Sequence, residues 1–373
     1  MKKIIFYISD LYKGGAQRVI TNLSNFLSCK YEVTIVTTAY CQSKYELKTS
    51  VKHVCLDASY QDVNDNVIIK NIRRNRKIIK FINSYNPDVV VTFLDREIYR
   101  ILSVRRFINV PIIVSFRNDP NVDYQSKLKK LAIKYLIRNA DGVVFQTAEA
   151  KKFFETKLNN NKSTIIPNPL NENFLVSRYK GERDKVIVAV GKLFPQKNHK
   201  LLVKAFKRIA DNFPDFNLMI YGEGDLRVEL EGLIRDLELE KRVYLPGIKD
   251  NIFDYTYRAS LFVLSSDYEG ISNALMEAMA VGLPVISTDC PCGGSSFLIN
   301  DGINGLLVPV GNEEKLAEAM FKLLSDEGLS KKLGMNANKI IENLKPDKVY
   351  TQWETFLKLY EKGTDNGRFS RKR

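Results

Sequence analysis

The chain has 373 residues, more than one ordinary core holds, and a composition of 45% hydrophobic and 27% charged residues excludes a disordered polymer. No apolar run approaches the ~20 residues of a membrane span, and two histidines, His53 and His199, argue against a histidine-rich metal site or a Ser-His-Asp triad. The net charge of +14 is confined to residues 1–170, where 28 Lys and Arg stand against 14 Asp and Glu, so that half expects an anionic partner: nucleic acid, a lipid headgroup surface or a phosphorylated acceptor.

MKKIIFYISD begins like a signal peptide, but its apolar run is too short and no cleavage site follows. Five cysteines (Cys29, Cys41, Cys55, Cys290, Cys292) are odd in number and lack staple spacing, which fits a reducing cytosol. The segments KKIIFYIS, YEVTIVTT, VKHVCL, DVVVTFL, PIIVSF, DGVVFQT and STIIPN read as strands that are apolar almost throughout. Helical stretches such as GAQRVITNLSNFL and IIKNIRRNRKIIKFINSY lie between most of them. That pattern predicts a parallel sheet covered on both faces. Polar, aperiodic residues follow, and then the grammar restarts: VIVAVGKL, FNLMIYGEG, RVYLPG, LFVLSS and PVIST are strands alternating with helices.

The expected class is therefore α/β, with two doubly wound Rossmann-like domains at 1–170 and 186–345 joined by a linker at 171–185. A last helix within 346–373 is expected to cross back to the first domain, ahead of a basic tail, GRFSRKR. Such sheets hold ligands at the carboxyl ends of their strands, and two of them facing across a cleft let two substrates meet.

Three strand ends carry chemistry. Gly14 and Gly15 follow the first strand and open the first helix, allowing close approach of a ligand, although a Gly-Gly turn alone is more often structural and G-x-G-x-x-G is missing. VGKLFPQKN places Lys192 and Lys197 in the loop after the first strand of the second domain, where two ammonium groups suit a diphosphate; in a lysine-rich chain the plain reading is two surface lysines. In YEGISNALMEAMAVGLPVIST, Glu269 sits in a strand-to-helix turn, Ser272 or Asn273 starts a helix, and Glu277 lies on its first turns. N–H groups near Gly270, Ile271 and Ser272 suit a phosphate, and a carboxylate at Glu277 suits the vicinal hydroxyls of a ribose. Two glutamates eight apart are common; the same pair inside strand–turn–helix–strand is much more specific.

GGAQRVITNL, VGKLFPQKNHKLLVKAF, YGEGDLRVELEGLI, YEGISNALMEAMAVGLPVIST and DGINGLLVPVGN together resemble the ordered blocks of family 4 glycosyltransferases with the GT-B fold, over essentially the whole chain. The resemblance implies that Glu269 contacts the transferred sugar, Glu277 the nucleotide ribose, and Lys192 and Lys197 the diphosphate. Gly15, Gly191, Gly270, Ile271 and Ser272 complete the donor site. It also implies retention of the α configuration without a bound metal or other cofactor, and the lack of a D-x-D stretch agrees. Departures are Gln17, where many relatives carry glutamate, Ser296, where glutamate is common, and SFRNDP, where some carry histidine; Arg117 and Asn118 stand there as acceptor-side candidates.

IIKNIRRNRKIIKFI and KLKKLAIKYLIRNA are basic amphipathic helices on the first domain. Lys70, Arg73, Arg74, Arg76, Lys77 and Lys80 have no acidic residue among them; Lys127, Lys129, Lys130, Lys134 and Arg138 surround Leu128, Leu131, Ile133 and Leu136. Each helix alone reads equally well as a core-facing helix with a solvated basic face; together they favour an anionic membrane surface. The expectation is a cytoplasmic enzyme held at the inner face of the cell membrane. It is expected to move a hexose or N-acetylhexosamine from a UDP-linked donor to a lipid-diphosphate-linked or growing glycan of the O-antigen or capsule kind. A sugar-nucleotide epimerase of the same fold is the alternative; so is a non-enzymatic binder of anionic surfaces or nucleic acid, which lacks any specific nucleic-acid motif.

Overall fold

The computed structural model describes residues 1–12, 14–38, 42–56, 67–158 and 162–360. Cys41 and the tail GRFSRKR lie outside them. The chain divides into two compact units, Met1–Pro167 with Asp347–Arg373, and Asn168–Pro346.

The first unit carries seven parallel strands: β1 (Lys3–Ile8), β2 (Glu32–Thr37), β3 (Val51–Cys55), β4 (Val89–Phe93), β5 (Ile112–Ser115), β6 (Gly142–Phe145) and β7 (Ser163–Ile165), in the order β3-β2-β1-β4-β5-β6-β7. β-Branched runs such as VVVTF in β4 are buried at every position, because helices cover both faces of a parallel sheet. The helix Pro346–Lys358 belongs here. Val349, Tyr350, Trp353, Phe356 and Leu357 recur at helical spacing and are buried in the core with Phe93, Ile113 and Val144. Trp353 stacks on Phe93 at 5.4 Å, and Tyr350 meets Phe26 at 5.2 Å.

The second unit has six parallel strands: β8 (Asp184–Val190), β9 (Asn217–Tyr221), β10 (Val243–Gly247), β11 (Ala259–Leu264), β12 (Val285–Thr288) and β13 (Leu306–Val308), in the order β10-β9-β8-β11-β12-β13. Strand order reverses between β8 and β11, and the crevice at such a switch point is where open α/β sheets take their ligands.

Three readings need correction. The stretch 171–185 is not a free linker: Leu170 N–H donates to Leu344 O (2.9 Å), a turn of 3₁₀ helix spans Glu172–Phe174, and Phe174 is buried against Phe253. β13 was not anticipated, since three residues between Gly305 and Pro309 are too few to show a period. Cys55 is disulfide-bonded, so the cysteines are not all thiols; Cys29, Cys290 and Cys292 are free.

Candidate active site

The loops leaving β8 and β11 flank the switch point of the second sheet, and side chains lock one to the other. Gln196 Nε2 donates to Tyr268 O (3.0 Å), Asp267 N–H to Gln196 O (2.9 Å), Ser265 Oγ to Lys197 O (2.9 Å) and Asn198 Nδ2 to Asp267 Oδ1 (2.7 Å). Asn198 also caps the helix His199–Ile209 through Leu201 N–H, from a left-handed conformation that asparagine tolerates. The result is one rigid platform built from two loops.

On it, the Lys197 ammonium and the Glu269 carboxylate form an ion pair, with side chains only 17% and 10% exposed. Ser266 Oγ donates to the same carboxylate oxygen (2.8 Å). Ser266 is held in turn: its carbonyl accepts from Thr288 Oγ1 (2.5 Å) and Cys290 Sγ (3.3 Å). Burial pushes the Cys290 thiol up to about 11, and the Glu269 charge adds to it, so Cys290 is a neutral donor here rather than a nucleophile.

The turn beyond Glu269 is pinned from two sides. A Cβ on Gly294 would lie 1.8 Å from Gly270 O, so only glycine lets the helix Gly294–Leu298 approach this closely. Asn168 Nδ2 donates to Ile271 O (3.2 Å) and to Asn273 Oδ1 (2.9 Å). Ser272 is the N-cap of the helix Asn273–Ala280, its hydroxyl accepting from Leu275 N–H, which settles the choice between Ser272 and Asn273. Glu277 is buried on this helix, and Gly270, Ile271 and Ser272 are buried too.

Gly191 leaves room for Lys197: a Cβ there would meet the lysine stem at 3.0–3.2 Å. Lys192 is exposed, its ammonium 5.6 Å from the centre of the Phe194 ring. The structure thus joins Lys197 to Glu269 and leaves Lys192 at the surface. Ser296 is exposed beside a cavity of about 620 Å³ that Asn300, Asn304, Asn336 and Asn343 also line.

His199 is one of the two histidines in the sequence. It is buried one residue past Asn198, and burial, reinforced by the Lys197 charge, pushes its pKa down to about 4. It is neutral at pH 7 and adds no charge beside Lys197. Its folded-state pKa lies below the ordinary value of 6.5, so between those values the unfolded chain binds the extra proton, and stability is lost as pH falls from about 6.5 to about 4. The full shift is worth on the order of 3 kcal/mol. His199→Gln should therefore show a flatter melting-temperature profile over that window than the wild type, whatever repacking costs it at pH 7. Parallel profiles would contradict the assignment.

In the first unit, Gly14 caps the helix Gly15–Leu27, and Tyr45 Oη binds its backbone. Gln17 Nε2 donates to Asp10 Oδ1 (3.4 Å) across Gly14. A glutamate at 17 would repel Asp10, which is a physical reason for the amide. Arg117 lies over the Phe93 ring (4.2 Å) and the Trp353 ring (5.4 Å), and burial pushes its pKa down to about 9. Asn118 Nδ2 donates to Asp123 Oδ1 (2.7 Å). Glu97, which the motifs did not single out, is buried at the start of the helix Asp95–Ser103, its carboxyl pushed up to about 7 by burial. Among the described residues, no group of three or more His, Cys, Asp or Glu is placed to hold a metal ion.

The model of glycosyl transferases group 1 matches residues 172–340, and that of glycosyltransferase family 4 matches residues 13–174. The chain is 30% identical over 348 residues to the N-acetylgalactosamine-N,N'-diacetylbacillosaminyl-diphospho-undecaprenol 4-alpha-N-acetylgalactosaminyltransferase of Campylobacter jejuni, covering 89% of this chain and 92% of that one. The chain belongs to glycosyltransferase family 4. Its fold is GT-B: sucrose-phosphate synthase from Thermosynechococcus elongatus superposes with a TM-score of 0.82 at 20% identity, covering 96% of this chain and 99% of that one. Anabaena HepE in complex with UDP-glucose superposes at 0.80 and 16% identity, covering 96% and 100%. In this family 4 glycosyltransferase two of the blocks that carry the resemblance, VGKLFPQKN and YEGISN, meet on one platform in the second unit, while GGAQRVITNL belongs to the first unit. Ser266, Thr288, Asn168 and Gly294, which hold that platform, escaped sequence reading because none carries a local motif, and the contacts of Thr288, Asn168 and Gly294 span 22 to 105 residues.

Proposed function

We propose that this glycosyltransferase transfers a hexose or N-acetylhexosamine from a UDP-linked donor to a lipid-diphosphate-linked or growing glycan. Transfer proceeds with retention of the α configuration and without a metal or other cofactor. The observation that carries the reading is the Lys197–Glu269 pair, held at the switch point of the second sheet by two locked loops. Cleavage of the anomeric C–O bond puts positive charge on the sugar and negative charge on the departing diphosphate. Lys197, with Lys192 at the rim, opposes the negative charge. The acceptor oxygen bonds to the anomeric carbon on the face the diphosphate leaves, and its proton passes to a diphosphate oxygen, so no covalent sugar–enzyme ester forms. Glu269 orients the donor sugar, Glu277 accepts from the ribose hydroxyls, and Gly191 with the turn Gly270–Ser272 approaches the donor. Arg117 and Asn118 mark the acceptor side.

The acceptor class rests on the diphospho-undecaprenol acceptor named for the Campylobacter relative, and the UDP preference on the nucleotide named for the Anabaena structure. The positive charge of residues 1–170 supports work at an anionic membrane surface on the cytoplasmic side. No helix of the described residues is long and apolar enough to cross a membrane.

The test is a panel of UDP-, GDP- and TDP-sugars, in EDTA and without acceptor, read by melting temperature and by slow hydrolysis. One UDP-sugar should raise the melting temperature and be hydrolysed, and Glu277→Gln should weaken its binding about tenfold or more, the scale of a lost hydrogen bond to a charged group. If no nucleotide sugar binds, or binding requires a divalent ion, the donor assignment fails.

A further inference from the structure

The helix Lys127–Leu136 packs only one of its faces on the first unit. Ile133 is buried, and Tyr99 Oη donates to Lys129 O (3.2 Å). On another face Leu128, Leu131 and Tyr135 are 80%, 68% and 67% exposed. Their spacing of three and four residues lines them along a single stripe. The sequence pattern had grouped Leu128 and Leu131 with Ile133; the fold separates them. Lys127, Lys129, Lys130 and Lys134 flank the stripe, Arg138 extends it in the turn Ile137–Asn139, and residues 124–140 contain no Asp or Glu.

Cations are crowded on this element. Lys130 and Lys134 both stand over the Phe153 ring, at 4.9 and 4.6 Å. Burial, with Lys130 and Lys157 nearby, lowers the pKa of Lys134. The helix follows the segment that leaves β5 through Arg117 and Asn118, and Tyr99, on the helix after β4, bonds its first turn. A second copy presenting the same face would bring the same cations and be repelled. Asp95, on the neighbouring helix Asp95–Ser103, is the acidic group that interacts with Lys129; along the helix itself the apolar stripe has only positive charge beside it, which matches the boundary between headgroups and acyl chains of an anionic bilayer.

We propose that Leu128, Leu131 and Tyr135 form a membrane-insertion face, seated at the headgroup–acyl boundary of an anionic bilayer with the flanking lysines on lipid phosphates. This rests on the reading that the transferase works at an anionic membrane surface, and adds that attachment is apolar as well as electrostatic. The helix Val67–Tyr85 also exposes Ile68, Ile69 and Ile72 with Arg73, but it adjoins residues outside the described chain, and Arg74 is buried; no role in insertion is assigned to it.

The experiment is cosedimentation of the full chain with vesicles of phosphatidylcholine containing one third phosphatidylglycerol, at low and high salt. The variant Leu128→Ser/Leu131→Ser/Tyr135→Ser changes exposed positions and no charge. Its melting temperature and nucleotide-sugar response should match the wild type, while its vesicle affinity should fall about tenfold or more. The wild type should retain measurable binding at high salt, where screening removes purely electrostatic attachment. If wild type and variant bind alike and both release in salt, insertion is overturned and the membrane reading stands on charge alone. If the wild type ignores anionic vesicles, insertion and the membrane reading both fall, while donor hydrolysis in the same preparation judges the transferase reading separately.

Discussion

Lys197→Met and Glu269→Gln should each lower kcat/KM by about 10²–10³-fold, the scale of removing one preorganised charge stabiliser from an active site. Lys197 acts where negative charge develops on the leaving diphosphate, so its loss should fall mainly on kcat. Glu269→Gln keeps an acceptor for Ser266 Oγ but removes the charge that holds Lys197. Because the two side chains are paired and little exposed, each single variant leaves one charge without its partner, which destabilises the protein as well as slowing it. The double variant separates the effects: removing both charges should restore part of the melting temperature and none of the activity. Turnover recovering along with stability would mean that the pair is structural. Trapping a sugar ester on Glu269 would overturn the direct-displacement chemistry.

Trp353→Ala should cost about 3–5 kcal/mol, the usual range for truncating a large buried aromatic. Trp353 is fully buried, stacks on Phe93 and supports the Arg117 guanidinium, so truncation opens a cavity and loosens the loop after β5. No hydrogen bond is made by the indole N–H, so Trp353→Phe should recover most of the loss. Denaturant unfolding followed by circular dichroism checks both. A Trp353→Ala midpoint within error of the wild type would mean that the helix Pro346–Lys358 contributes little to the first unit. The transition that responds to nucleotide sugar should be the less affected one, since Glu269 and Lys197 lie in the other unit.

The fold class was legible because a parallel sheet buried on both faces needs strands that are apolar almost throughout, and the helices between them need a 3.6-residue period. Twelve of the thirteen strands were legible as strands, from KKIIFYIS to PVIST, although β3, β7 and β10 are only partly buried. β13 did not, because three residues carry no period. The candidate site was legible where chemistry and local backbone coincide: Lys197 lies in the loop after a strand, Glu269 in the turn before a helix, and Gly191 sits against the Lys197 stem. Each of those signals spans fewer than ten residues.

What the sequence determined by itself is therefore the alternation of elements, the positive charge of the first 170 residues, and the residue types offered at the strand ends. Only the tertiary structure decided which of them meet. Lys197 and Glu269 are 72 residues apart and become partners because strand order reverses between β8 and β11. Lys192, equally suited in sequence, stays at the surface. Leu128, Leu131 and Ile133 share one apolar helix pattern, yet only Ile133 is buried, because burial depends on what the rest of the chain packs against that helix. A side chain's partners across the fold are properties of the closed chain, which no local pattern encodes.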